Sequence, residues 1–167
     1  MRCVSLVPDI VTYNMACRAH KLGLQWAWTL RILAEVEAGG FAPSEIACSV
    51  AIGACVRGRR WQEALGLMQY LRVKGFVPDL ITYSAAISAC ANGKQPERAL
   101  QLLNEMQQKG LKPSAITYNA AISACEKGKK PEKALALLAQ MRTKDLRPGV
   151  ISYNAAISAC AKGHQME

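Results

Sequence analysis

Pro8, Pro43, Pro78, Pro113 and Pro148 stand 35 residues apart in this chain of 167, with no insertion or deletion between them. Gly23, Gly58, Gly93, Gly128 and Gly163 keep the same interval, as do Ala19, Ala54, Ala89, Ala124 and Ala159, so the period belongs to a whole unit. A repeat of this length predicts a solenoid, in which each unit buries its apolar face only against its neighbours and no single central core exists. Counting from the second residue after each proline gives units 10–44, 45–79, 80–114 and 115–149. Residues 1–9 then end a preceding unit, and 150–167 form an incomplete fifth.

Two helices fit each unit. In the unit beginning at Leu80, Tyr83, Ala86, Ile87 and Cys90 form one stripe of a 3.6-residue helix, and Ala99, Leu102, Leu103 and Met106 repeat the same offsets. Gly93 and Lys94 are expected to break the chain between the two helices. Pro96, like Pro131, suits the first turn of the second helix, where a missing N–H is harmless, and Glu97 suits the positive end of its dipole. The second helix should stop at Gly110, with Pro113 preventing its continuation. Asp145 replaces that glycine in the fourth unit and predicts a more strained turn. Alternating apolar and polar runs are absent. The expected fold is therefore all-α, an α-solenoid of tandem helix-turn-helix hairpins with the first helices lining one surface.

Lys and Arg exceed Asp and Glu by 21 to 12, a net charge of +9 that favours a polyanionic partner without identifying one. No stretch approaches a membrane span, and the opening MRCVSLVPD lacks the apolar core of a signal peptide. Of seven cysteines, Cys55, Cys90, Cys125 and Cys160 share one stripe position, which makes them small core fillers. There is no Cys-x-x-Cys, and His20 and His164 are the only histidines, so zinc spacing is missing. Unpaired thiols in this number fit a reducing compartment. Met1 falls at the unit position of Val36, Leu71, Met106 and Met141, and Gln165, Met166 and Glu167 align with Gln95, Pro96 and Glu97. The chain thus opens and stops inside second helices without polar caps, as expected of a segment of a longer array.

The strings PDLITYSAAISACANGK from Pro78 and PSAITYNAAISACEKGK from Pro113 resemble the pentatricopeptide repeat family, with its V-T-Y-N opening, mid-unit Gly and closing K-G-x-x-P-D. The resemblance covers essentially the whole chain. Constant 35-residue units are similar to the plain subclass of the family. The unit 45–79 departs most, with Cys48 and Ser49 in place of the Tyr-Asn pair. Tetratricopeptide repeats have a period near 34 and a Trp-Leu-Gly-Tyr pattern that is absent here. The resemblance implies a right-handed superhelix that binds single-stranded RNA, one base per unit, in a mitochondrion or plastid.

Opposite the buried stripe of each first helix lie unit positions 2, 5 and 9, for example Ile81, Ser84 and Ser88, a face expected to be wetter. Position 2 is nonetheless aliphatic in every copy: Val11, Ile46, Ile81, Ile116 and Ile151. In the family this residue wedges between successive bases; otherwise it would staple adjacent helices. The resemblance assigns base identity to position 5 paired with the last residue of the unit. The pairs are Asn14 with Ser44, Ser49 with Asp79, Ser84 with Ser114, and Asn119 with Gly149, while Asn154 lacks a partner. Ser with Asp offers acceptors for the ring N–H and amino group of guanine, and an Asn amide can donate and accept at a pyrimidine edge.

Phosphate contacts are expected at the turn between helices, from Arg57, Lys127 and Lys162, within a basic stripe that includes Arg59, Arg60, Lys94, Lys129 and Lys130. Some of these charges serve only solubility. Tyr13, Tyr83, Tyr118 and Tyr153 lie on the buried stripe and Trp26, Trp28 and Trp61 in second helices, so all are read as packing. No cofactor, metal, small-molecule substrate or catalysis is expected of this segment, which lacks the deaminase pairing of His-x-Glu with Pro-Cys-x-x-Cys. A protein-binding scaffold, or the recognition arm of a larger RNA-processing enzyme, are the alternatives.

Overall fold

The computed structural model describes residues 25–40, 43 and 45–163. Among them are eight helices and no strand: α1 Gln25–Ala38, α2 Glu45–Arg57, α3 Trp61–Val73, α4 Leu80–Asn92, α5 Pro96–Gln108, α6 Ala115–Lys127, α7 Pro131–Thr143 and α8 Val150–Gly163. The first helices α2, α4, α6 and α8 begin 35 residues apart, and α1, α3, α5 and α7 are the second helices.

Local chemistry sets the helix ends. Asp79 and Ser114 have extended backbones and accept hydrogen bonds from the Thr82 and Thr117 amides at 2.8 and 3.4 Å, satisfying one of the amide donors that every helix start leaves free. Pro96 and Pro131 open α5 and α7, with Glu97 and Glu132 in the first turn. After the second helices the chain reverses through left-handed residues, Gly75 at φ 77° and Gly110 at φ 76°. Asp145 takes the same conformation at φ 57°, which costs a residue with a Cβ about 1 kcal/mol and accounts for the strain predicted there.

The break inside each unit differs from expectation. Gly93 and Gly128 have ordinary φ values of −83° and −85°, and the left-handed residue is the basic one that follows: Arg59 at 56°, Lys94 at 54° and Lys129 at 55°. Glycine is required here for space. A Cβ on Gly93 would lie 2.4 Å from Cγ of Trp61, one on Gly128 2.5 Å from Cγ of Pro96, and one on Gly163 2.7 Å from Cγ of Pro131. At each of these three glycines a first helix ends against the start of the preceding second helix.

The first helices form the tight layer. α4 packs against α2 and α6, and α6 against α8, while each also meets its own second helix where one is present and the preceding one. The second helices meet one another only through long side chains, as Arg72 does with Glu105 and Lys133 with Glu97, and between α3 and α5 they leave a groove lined in part by Leu65, Met68, Arg72 and Leu102. Side-chain size explains the difference, since Ala86, Ala89, Ala121 and Ala124 let backbones approach, whereas Leu, Met and Gln hold the outer helices apart.

Both predicted stripes are buried: Tyr83, Ala86, Ile87 and Cys90 in α4, and Ala99, Leu102, Leu103 and Met106 in α5. Each large aliphatic side chain so buried stabilises the fold by about 1.5–3 kcal/mol. Cys55, Cys90 and Cys125 fill the same core, and burial pushes their thiols up to about 11, so they stay neutral at physiological pH. No group of three His, Cys, Asp or Glu among the described residues could hold a metal, and none of their helices is long and apolar enough to cross a membrane.

Four aromatic expectations need correction or fall outside the described residues. Trp61 is half-buried with the Arg98 guanidinium 5.4 Å from its ring centre, but Trp28 is exposed. It occupies the register position of Glu63, Arg98 and Lys133, on the solvent side of its helix. Tyr153 is also exposed, because no second helix follows α8 among the described residues to cover it. Tyr13 and the side chain of Trp26 lie outside what is described.

Candidate RNA interface

The aliphatic side chains at position 2 stand in the open. Ile46, Ile81, Ile116 and Ile151 are 62%, 70%, 74% and 70% exposed, each directly after the first residue of its helix, and in α4 and α6 the opposite face is fully buried. Isolated exposed aliphatics are common, but one β-branched residue per 35-residue period makes an ordered apolar row. Val11 lies outside the described residues.

Position 5 is drier than expected. Ser49, Ser84 and Asn119 are half-buried, as is Ser88 at position 9, whose hydroxyl donates to the Ser84 carbonyl at 2.9 Å. The reason is a buried hydroxyl from the next unit. Thr82 Oγ1 lies 2.5 Å from Ser49 Oγ and donates to Asp79 Oδ1 at 2.6 Å. Thr117 Oγ1 lies 2.7 Å from Ser84 Oγ and 3.2 Å from Ser114 Oγ. Ser152 Oγ donates to Asn119 Oδ1 at 2.6 Å and accepts from the Gly149 amide at 3.2 Å. All three hydroxyl residues are buried. Each described pair, Ser49 with Asp79, Ser84 with Ser114 and Asn119 with Gly149, is thus joined across a unit boundary through one hydroxyl. Asn154 is exposed, and Asn14 and Ser44 lie outside the described residues.

The bridging residues were missed in the sequence. They are the third letter of the repeated opening, Thr82 in L-I-T-Y, and a hydroxyl recurring directly before the buried tyrosine was the available signal.

Along the other edge, Arg57, Lys127 and Lys162 occupy or adjoin the last residue of a first helix, exposed and well placed against its negative dipole end. Lys127 and Lys162 also tie units together. Lys127 Nζ donates to Asn92 Oδ1 at 3.4 Å, and Asn92 Nδ2 to the Val56 carbonyl at 3.1 Å. Lys162 pairs with Glu126 at 2.7 Å, and Ser158 donates to the same oxygen at 2.7 Å. Burial opposes ionisation of Glu126, but these two hydrogen bonds outweigh it and hold the carboxyl below the usual glutamate range. Arg60 is bound to Glu63 at 2.8 Å. The stripe of cations is therefore partly neutralised, at Arg60 and Lys162, and open to a polyanion at Arg57 and Lys127.

Residues 31–93, 66–128 and 101–163 each match the family described as pentatricopeptide repeat domain, and the three matches are offset by one period of 35. Together they span most of the chain. The structure is similar to that of the pentatricopeptide repeat protein PPR10, a maize protein, in complex with an 18-nt psaJ RNA element. The identity is 27% over 89% of this chain, at a TM-score of 0.76, and this chain spans only 22% of that one. It is also similar in fold to the PPR domain of Arabidopsis thaliana protein-only RNase P 1 in complex with tRNA, with 17% identity, 93% and 83% coverage of the two chains and a TM-score of 0.77. No curated protein sequence matches the chain. With the family matched over three overlapping pairs of units, and the helical solenoid it requires in place, this chain belongs to the pentatricopeptide repeat family.

Proposed function

We propose that this chain binds single-stranded RNA and reads it one base per unit, the units being 10–44, 45–79, 80–114 and 115–149 with a partial fifth from 150. The observation that carries this reading is the alternation, along one surface, of exposed Ile46, Ile81, Ile116 and Ile151 with the linked polar pairs. A splayed base slots between successive isoleucines and meets one pair at its Watson–Crick edge, the form of recognition that single-stranded RNA allows. The resemblance to PPR10, solved with RNA, supports it. Arg57 and Lys127 position phosphates, and Lys162 does so once drawn from Glu126. Work of this kind belongs to RNA processing, stability or translation in a mitochondrion or plastid.

With the chain parallel to the RNA, the pairs from Asn14 to Asn154 read 5′-C-G-A-pyrimidine-pyrimidine-3′. Ser49 with Asp79 reads the guanine. The test is binding of four RNAs that differ only at that base. Guanine should rank first, and Ser49→Asn should move the preference toward uracil by severalfold, since a good base contact contributes about 1–3 kcal/mol. An unchanged ranking in the folded variant removes base reading and leaves a non-specific RNA binder.

A further inference from the structure

Thr82, Thr117 and Ser152 are polar, fully buried and unused by the reading above, and each touches both members of a pair belonging to the unit before its own. We propose that this hydroxyl is a positioning residue that fixes which way the hydrogen bonds run, and so decides whether the position-5 side chain offers the base a donor or an acceptor. The proposal rests on base reading and adds a residue to it.

Proton counting gives the direction. Asp79 is a carboxylate and can only accept, so Thr82 spends its single hydroxyl proton on Oδ1, 2.6 Å away. The 2.5 Å bond between Ser49 and Thr82 must then carry the Ser49 proton. Ser49 is left with lone pairs to offer, beside the exposed carboxylate of Asp79. Two acceptors together complement the N1–H and amino group of guanine. In the fourth unit the chain runs the other way. The Gly149 amide can only donate, so Ser152 receives its bond at 3.2 Å and passes its own proton to Asn119 Oδ1 at 2.6 Å. The Asn119 amide nitrogen is left to donate, which suits the carbonyl O2 of a pyrimidine and opposes the N1–H of guanine. Between Ser84, Thr117 and Ser114 all three partners are hydroxyls, and the chain can run in either direction. That pair can meet adenine, whose edge carries one donor and one acceptor.

A consequence separates this from a packing role: the residue acts on the base read by the preceding unit, not on its own. Thr82→Val keeps the shape and the amide that caps on Asp79 but removes the hydroxyl. In the four-RNA assay it should cut the guanine preference at the Ser49 base at least severalfold, leave the preference at the Ser84 base unchanged, and be rescued by Thr82→Ser. The unit 45–79 supplies the converse, because Ala47 stands at the bridging position and has no hydroxyl for the Asn14 and Ser44 pair. Ala47→Thr should sharpen discrimination at the first base. Retained guanine preference in Thr82→Val, a change at the Ser84 base instead, or no gain from Ala47→Thr would overturn the relay. If Ser49→Asn shifts the ranking while Thr82→Val does not, the relay alone fails; if the wild-type protein ranks all four bases equally, base reading fails and the relay with it.

Discussion

Helices α4 and α8 carry almost the same letters, ITYSAAISAC and ISYNAAISAC, yet their burial differs. Tyr83 and Ile87 are 0% exposed, whereas Tyr153 and Ile157 are 39% and 65% exposed. Ala156 and Ala159 remain buried in α8, because they face α6 and α7. The side chains that lose cover are those that a following second helix would bury, and none follows among the described residues. A stripe in this fold is thus only half of a core. The neighbour supplies the other half, as expected when stability is a sum of units and the interfaces between them.

The largest effect should come from truncating the same residue in the two helices. Ile87→Ala should cost about 2–5 kcal/mol in chemical denaturation, while Ile157→Ala should stay within about 0.5 kcal/mol of wild type. Equal losses would mean that burial in α8 is no different from that in α4.

Glycines sharpen the contrast next. Gly93→Ala must push its Cβ into the Trp61 ring and should destabilise by about 1–3 kcal/mol. Gly66→Ala, in the interior of α3 with nothing within 4 Å, should stabilise by about 0.5–1 kcal/mol. Thermal melts of the two variants moving in the same direction would refute the close approach between units.

A smaller effect lies in the ion cluster between units. Glu105 accepts from Tyr83 Oη at 2.7 Å, lies 3.3 Å from Lys109 Nζ and pairs with Arg72. Burial works against its charge, but these partners hold the carboxyl below the usual range. A carboxyl depressed in the folded state stabilises at neutral pH and loses that contribution as pH falls through its folded pKa. Glu105→Gln should therefore cost about 1 kcal/mol at pH 7, with the gap to wild type closing in acid. A gap independent of pH would assign the loss to packing.

What the sequence could and could not reveal follows the same division. Periodicity sufficed for helix order, for the buried stripes of α4 to α7 and for the strained turn at Asp145, whereas the same stripe in α8 leaves Tyr153 and Ile157 exposed and Cys160 only half-buried. It misplaced the reason for Gly93, read as a breaker, because the Trp61 ring that forbids a Cβ there belongs to the previous unit. It also left Thr82 as a motif letter, because its partners Ser49 and Asp79 both precede its unit. Trp28 departs from expectation for a simpler reason: its register is that of Glu63, Arg98 and Lys133, on the solvent side of the helix.

The most direct test of base reading across unit boundaries is a substitution scan of the RNA 5′-C-G-A-pyrimidine-pyrimidine-3′, changing one base at a time and measuring affinity at fixed salt. Discrimination should peak at the second base, opposite Ser49 and Asp79, and be weaker at the fourth, where Gly149 offers no side chain. A flat profile, with affinity set only by salt as for phosphate contacts alone, would contradict the account.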